Sequence, residues 1–190
     1  MIVATNNKGK LQEIKEILNR DDIYSLKDKN INIEILEDGN TFLENAKKKA
    51  KTIYDLTKEE VIADDSGLCI NCLDGYPGVN THRFLGNVSD VEINEYLINK
   101  VNQYNDRSCK FICVIIYYDG SKFIEAEGIL NGFISKEMKG NNGFGFDSIF
   151  ELSNGKTLAQ LSNLEKNKIS ARYLALKELE RKFNIWSLIV

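Results

Sequence analysis

The sequence is short of residues that many functions require. Its 190 residues include one histidine, one proline and one tryptophan. With His82 alone, a multi-histidine metal centre is excluded, and any histidine-based triad would have to use that residue. With Pro77 alone, there is no proline-rich linker. No run reaches the roughly 18 apolar residues of a membrane-spanning helix. The first residues, Met1-Ile2-Val3-Ala4-Thr5-Asn6, lack the basic and long apolar regions of a secretory signal. Positive charge is not in excess: 25 Lys and Arg stand against 28 Asp and Glu, a formal net charge of −3. Duplex nucleic acid is therefore not an expected partner, and a polyanionic ligand would have to be met by a local cluster. The four cysteines, Cys69, Cys72, Cys109 and Cys113, are expected as thiols in a reducing compartment. Their C-x2-C and C-x3-C spacings admit zinc, but both pairs fall in apolar strand-like runs, where thiols are ordinary core residues.

What is present is globular: 43% hydrophobic and 28% charged residues, in a length that suits one domain, or two lobes sharing a core. Residues 2–5 read as a short buried strand. Leu11, Ile14, Ile17 and Leu18 recur at helical spacing and predict a helix over 8–19. Ile31, Ile33 and Ile35 alternate with polar residues as in a half-buried strand. Thr41 and Glu44 form a capping-box pattern before a helix carrying Phe42, Ala46, Ala50 and Ile53, with Lys47, Lys48, Lys49 and Lys51 expected mostly on its wet side. Val61-Ile62-Ala63 runs into Asp64-Asp65-Ser66-Gly67, and 68–73 suggests another strand. Residues 89–104 look helical, with Val91, Tyr96, Leu97 and Val101 inside. Cys109 to Tyr118 and Lys122 to Leu130 are strand-like and joined by Asp119-Gly120, a hairpin signal. A final helix is expected over 168–183. Strands and helices alternate early and a hairpin enters later, which implies an α/β fold with a mixed sheet.

Four stretches carry candidate chemistry. Thr5-Asn6-Asn7-Lys8-Gly9-Lys10 lies between a strand and a helix, where helix-start amides, side-chain donors and a lysine can hold phosphate oxygens. A polar cap with solvated lysines accounts for the same spacing, and the glycine pattern is not a Walker loop. Asp64-Asp65-Ser66-Gly67 follows an apolar strand, where paired carboxylates suit a hard cation such as Mg²⁺. An N-cap or tight turn is the simpler account of that tetrapeptide taken alone. Glu37-Asp38-Gly39 is a similar acidic turn. Phe144 and Phe146 stand among glycines before Asp147, either as core residues or as a stacking platform for a base. Lys166 and Arg172 could reach a base carbonyl or a phosphate, though such charged helix starts are usually solvated.

Taken together, these stretches resemble the Ham1-like family of inosine triphosphate pyrophosphatases. The resemblance covers nearly the whole chain, as a single domain over 1–190. It runs through residues 2–13 (IVATNNKGKLQE), 41–46 (TFLENA), 63–68 (ADDSGL), 73–79 (LDGYPGV), 143–147 (GFGFD), 157–161 (TLAQL) and Glu165-Lys166-Asn167 with Ser170 and Arg172. Their order and separations are specific where any one segment would be weak.

The resemblance implies a long twisted mixed sheet flanked by helices, with two lobes around a central cleft. It implies hydrolysis of purine triphosphates bearing a 6-keto group, such as inosine and xanthosine triphosphates and their deoxy forms, to monophosphate and pyrophosphate. It implies Mg²⁺, a homodimer and a cytoplasmic location. Thr5, Asn6, Asn7, Lys8, Gly9 and Lys10 would bind the triphosphate. Glu37, Asp64 and Asp65 would hold the metal, with Asp65 also accepting a proton. Ser66 would touch substrate, Phe144 would stack on the base beside Gly145 and Phe146, and Asp147 would read the base edge. Lys166, Ala171 and Arg172 would complete the contacts. Two positions depart from the family pattern: Ala171 stands where many members carry histidine, and Phe146 where many carry Trp or Tyr. A basic residue is also expected near the cleft at His82 or Arg83. Two alternatives remain: a related pyrophosphatase acting on modified pyrimidine nucleotides, and a nucleotide-binding module without catalysis.

Overall fold

The computed structural model describes residues 1–80 and 88–187, the last four of these as backbone only. His82 and Arg83 lie outside the described residues. Among the described residues six strands form one mixed sheet, in the order β2-β1-β3-β4-β5-β6. They are β1 (Ile2–Val3), β2 (Tyr24–Ser25), β3 (Val61–Ile70), β4 (Ser108–Tyr118), β5 (Phe123–Ile134) and β6 (Phe150–Glu151). β1 runs parallel to both β2 and β3, whereas β5 and β6 are antiparallel. The helices are α1 (Lys8–Leu18), α2 (Phe42–Thr57), α3 (Asp90–Val101), the single turn α4 (Asn163–Lys166) and α5 (Ala171–Ser187).

The residues group into two compact units. Unit 1 comprises Met1–Ser66, Cys113–Gly128 and Ala171–Val190; unit 2 comprises Gly67–Ile112 and Ile129–Ser170. The core of unit 1 is aliphatic. Ile2, Val3, Ile14, Ile53, Val61, Ile115 and Leu176 are buried there, and α1 packs on α5. Burying a side chain such as Ile53 completely is worth about 1.5–3 kcal/mol. Unit 2 has its own core around Leu68, Ile70, Leu97, Val101, Ile149 and Phe150, and the Phe111 ring lies 5.5 Å from that of Phe150.

Local chemistry accounts for the element ends. α1 starts at Asn7, whose side chain accepts the Lys10 N–H, and stops at Asn19 in the left-handed region (φ 49°). At α2 the Thr41 hydroxyl accepts the Glu44 N–H, but Glu44 accepts from the Asn40 N–H, so only half of the expected capping box forms. α3 carries a complete box between Ser89 and Glu92. Between β4 and β5, the Asp119 carboxylate accepts the Ser121 and Lys122 N–H groups, and Gly120 supplies φ +95°.

Five expectations are corrected. Ile31, Ile33 and Ile35 alternate in burial as predicted, but they lie outside the sheet, whose edge strand is β2. Asp64-Asp65-Ser66-Gly67 is no turn: β3 runs unbroken through it to Ile70, because every side chain from Val61 to Leu68 is buried and the ladder continues; residues 71–73 then form a 3-10 turn, not strand. On α3 the buried residues are Asn94, Leu97, Ile98 and Val101, whereas Val91 and Tyr96 are exposed. Lys49 is buried, not wet, because it shares the inward stripe of Ala46, Ala50 and Ile53.

Candidate active site

In unit 1 the chemistry collects around β3. Neighbouring residues of a strand point to opposite faces, so Asp64 and Asp65 meet different partners. Asp64 is buried with its Oδ2 3.0 Å from Lys10 Nζ and 3.0 Å from Arg172 Nη2. Arg172 also pairs with Glu13. The Ser66 hydroxyl, on the same face as Asp64, lies 3.4 Å from Asp64 Oδ2 and 3.4 Å from Arg172 Nη2. Asp65 instead accepts from Asn45 Nδ2 at 3.1 Å and from Lys49 Nζ at 3.2 Å. Lys49 Nζ stands equally 3.2 Å from Glu37 Oε1, so one ammonium bridges two carboxylates.

These surroundings drive the two carboxyls apart. Burial opposes the Asp64 charge, but the adjacent Lys10 and Arg172 cations outweigh it and hold the carboxyl far below its usual range. At Asp65 burial dominates; Lys49 and the Asn45 hydrogen bond offset it only in part, the Glu37 charge adds to it, and the carboxyl is pushed up. Adjacent carboxyls separated in this way can divide the work of fixed anion and proton acceptor. Lys49 is held protonated: burial disfavours its charge, but Asp65, Asp64 and Glu37 more than compensate.

The Thr5–Lys10 segment divides. Thr5, Asn6, Asn7 and Lys8 line an open groove of about 680 Å³ together with Leu11, Ser25, Lys27, Asp28, Asn30, Ile31 and Asn32. The first turn of α1 carries no acidic side chain, which leaves its amide end available to an anion. Lys10 turns inward to Asp64 and does not line that groove. Arg172, like Lys10, is spent on carboxylates in the interior.

Which of these groups could hold a metal follows from their donors. Among the described residues no three His, Cys, Asp or Glu side chains form a ready cage. Glu37 and Asp65 nonetheless converge on one cation position, filled by the Lys49 ammonium, and the buried Asp64 Oδ1 has no hydrogen-bond partner among the described residues. All-oxygen donors with few protein ligands fit a hard divalent cation that takes its remaining ligands from phosphate and water.

In unit 2 the loop before β6 holds the other candidates. The Asp147 carboxylate is buried, 2.5 Å from Lys166 Nζ, and accepts the Phe144 N–H at 2.9 Å. Lys166 Nζ sits 4.4 Å from the centroid of the half-buried Phe144 ring. Gly143 and Gly145 take φ +78° and +61°, and a Cβ at Gly143 would fall 2.1 Å from Asp147 Oδ2. Phe146 is placed differently from the resemblance's suggestion. Its ring joins the core, 6.3 Å from that of Phe111, because strand-end apolar residues close the cluster there.

Residues 1–182 match the Ham1 family. The chain belongs to that family. The dITP/XTP pyrophosphatase of Aquifex aeolicus is 42% identical over 190 residues, spanning 94% of each chain. That of Clostridium tetani is 39% identical over 190 residues, with 96% of this chain and 94% of the relative covered. Among solved structures, the Staphylococcus aureus Ham1 protein superposes with a TM-score of 0.86 at 35% identity, covering 96% of this chain and 97% of that one.

Reading the sequence as a Ham1 protein missed three site residues. Glu13, Asn45 and Lys49 are all buried beside the carboxylates. A signal existed for each: Glu13 neighbours Ile14 on the stripe begun by Lys10, and Asn45 and Lys49 stand at i, i+4 next to Ala46 and Ala50. A polar residue at an apolar helical position marks a buried partner. Ala171 is buried, its carbonyl oxygen 2.1 Å from where a Cβ at Gly128 would fall, and it offers no side-chain polar group to a ligand. The four cysteines are free thiols. Burial, with Cys69 and Cys72 nearby, pushes Cys109 up; burial also pushes Cys113 up, to about 12, against the nearby Arg172. Among the described residues no helix is long and apolar enough to cross a membrane.

Proposed function

We propose that this chain hydrolyses non-standard purine nucleoside triphosphates, such as inosine and xanthosine triphosphates and their deoxy forms, to the monophosphate and pyrophosphate. The observation that carries the reading is the opposed setting of Asp64 and Asp65 on β3, in a chain whose relatives are dITP/XTP pyrophosphatases.

The Thr5–Lys8 groove and the α1 amide end receive phosphate oxygens. Asp65, its carboxyl raised by burial, takes the proton of a water attacking the α-phosphorus. Asp64, locked between Lys10 and Arg172, stays charged and fixes the position of both cations. Glu37 and Asp65, which converge on one cation position, are the residues that would hold Mg²⁺, whereas Asp64, on the opposite face of β3, faces Lys10 and Arg172. When bound, that ion supplies neutralisation of phosphate charge and relief of the pyrophosphate leaving group. Phe144 stacks on the base, an interaction worth about 1–3 kcal/mol. Lys166 and Asp147 present a donor and an acceptor next to that ring. A donor meeting O6 favours a 6-keto purine over adenine, whose amino group would leave the donor unpaired at a cost of about 1–3 kcal/mol. The two units act as lobes of one domain, and the working form is a cytoplasmic homodimer. These statements rest on the family resemblance, and light scattering of the purified protein checks the dimer.

Incubation with a panel of triphosphates and Mg²⁺ tests the function. Pyrophosphate from inosine and xanthosine triphosphates is expected, with adenosine triphosphate much slower. Release of orthophosphate alone overturns the reading. A preference for a pyrimidine triphosphate would support the alternative enzyme, and tight binding without turnover under any divalent metal would support a binding module.

A further inference from the structure

The loop Gly143–Asp147 is held from a distance as well as locally. Its own Asp147 accepts the Phe144 N–H. The next peptide groups are taken by α3, more than fifty residues earlier in the chain: the Gly145 N–H donates to Asp90 Oδ2 at 2.9 Å, and Asn94 Nδ2 donates to the Gly145 carbonyl at 2.9 Å. The same amide reaches Ser148 Oγ at 3.0 Å. Asp90 and Asn94 stand at i, i+4 and so share one side of α3. Two glycines with positive φ leave this backbone unusually free, and without outside partners the ring between them would sample many poses.

Asn94 is an expensive choice for stability alone. It is buried beside Leu97, Ile98 and Val101, where an apolar residue would serve the core, and its Oδ1 has no hydrogen-bond partner among the described residues. We propose that Asp90 and Asn94 are positioning residues for base selectivity, gripping the Gly145 peptide from both its N–H and C=O so that the Phe144 ring is held in one pose. This rests on the assignment of Phe144 to the base. An aromatic platform discriminates between bases only as well as it is fixed, because a ring free to tilt meets any base face.

The test uses the whole protein, with inosine triphosphate and a pyrimidine triphosphate as substrates and inorganic tripolyphosphate as an inhibitor lacking a base. Asp90→Ala and Asn94→Asp are each expected to lower kcat/KM for inosine triphosphate about 10-fold, mostly through KM, and to narrow its advantage over the pyrimidine. Tripolyphosphate inhibition should stay within about twofold of the parent, since the phosphate residues are untouched. Asp90→Asn keeps an oxygen acceptor for the Gly145 N–H and should restore the parent selectivity. Asp90 is exposed, so its variants remain readable if Asn94→Asp folds poorly. Unchanged selectivity in the Asp90→Ala protein, or tripolyphosphate inhibition that weakens in parallel, overturns the inference. A parent protein that releases no pyrophosphate from any purine triphosphate instead overturns the functional reading beneath it.

Discussion

The two units build their candidate sites by opposite means. In unit 1 the polar groups gathered around the two aspartates stand on, or are gripped from, regular elements: Lys10 and Glu13 on α1, Asn45 and Lys49 on α2 with Glu37 held by Lys49, Asp64 and Asp65 on β3, Arg172 on α5. In unit 2 the key ring stands in an irregular loop, fixed by hydrogen bonds to its peptide groups. The difference follows from energetics. A buried charge misplaced by an ångström loses its partner while keeping its desolvation cost, so it needs a rigid support. A stacking ring has a broad interaction and tolerates a loop, provided something limits the tilt.

The largest effect should break the comparison at its catalytic end. Asp65→Asn is expected to cut pyrophosphate release by about 10²–10⁴-fold while inosine triphosphate still binds. Retained turnover would remove Asp65 from proton transfer. Next, Arg172→Met strips a buried partner from both Asp64 and Glu13, and a loss of about 3–5 kcal/mol in urea unfolding is expected. A loss below about 1 kcal/mol, the range of exposed pairs, would mean that unit 1 does not depend on its buried charges. A smaller change, about 1–3 kcal/mol in binding of the base, is expected for Phe144→Ala, read as weaker inosine triphosphate binding with tripolyphosphate inhibition unchanged.

Acidification of chelator-treated protein sharpens the contrast further. The folded-state carboxyl of Asp64 titrates below its ordinary value of 3.8, so its stabilising contribution is complete above that value and is lost as pH falls towards the folded one. Asp65 has the opposite sign: raised in the folded state, it favours folding when protonated and withdraws that contribution as pH rises through its folded value. Asp64→Asn should therefore flatten the acid limb of stability, and Asp65→Asn should not; an unchanged limb in Asp64→Asn would contradict the assignment. The smallest effect is expected at the half-exposed Lys47–Glu125 pair, where Glu125→Gln should leave the urea midpoint unmoved.

Much of this was legible in the residues. The spacing of Leu11, Ile14 and Leu18 marked α1, and Asp119-Gly120 marked the hairpin, because both signals are local. Ile31, Ile33 and Ile35 misled because alternation reports burial and not a ladder partner. Asp64-Asp65-Ser66-Gly67 reads as a turn by composition, and only cations arriving from α1, α2 and α5 make a strand tolerable there. Those arrivals are tertiary, so spacing could not show them. Lys49 looked solvated among its neighbouring lysines, and its difference lay in falling between Ala46 and Ala50 on the inward stripe.

The pleat of β3 has one more implication. Two carboxyls shifted in opposite directions are obtained from two consecutive copies of the same amino acid, distinguished only by parity along the chain. Insertion of a single residue between Val61 and Asp64 would turn each aspartate onto the opposite face, bringing Asp64 to the place of Asp65, Asp65 to that of Ser66, and no carboxylate to the place facing Lys10 and Arg172. Length, more than chemistry, is what this strand cannot change.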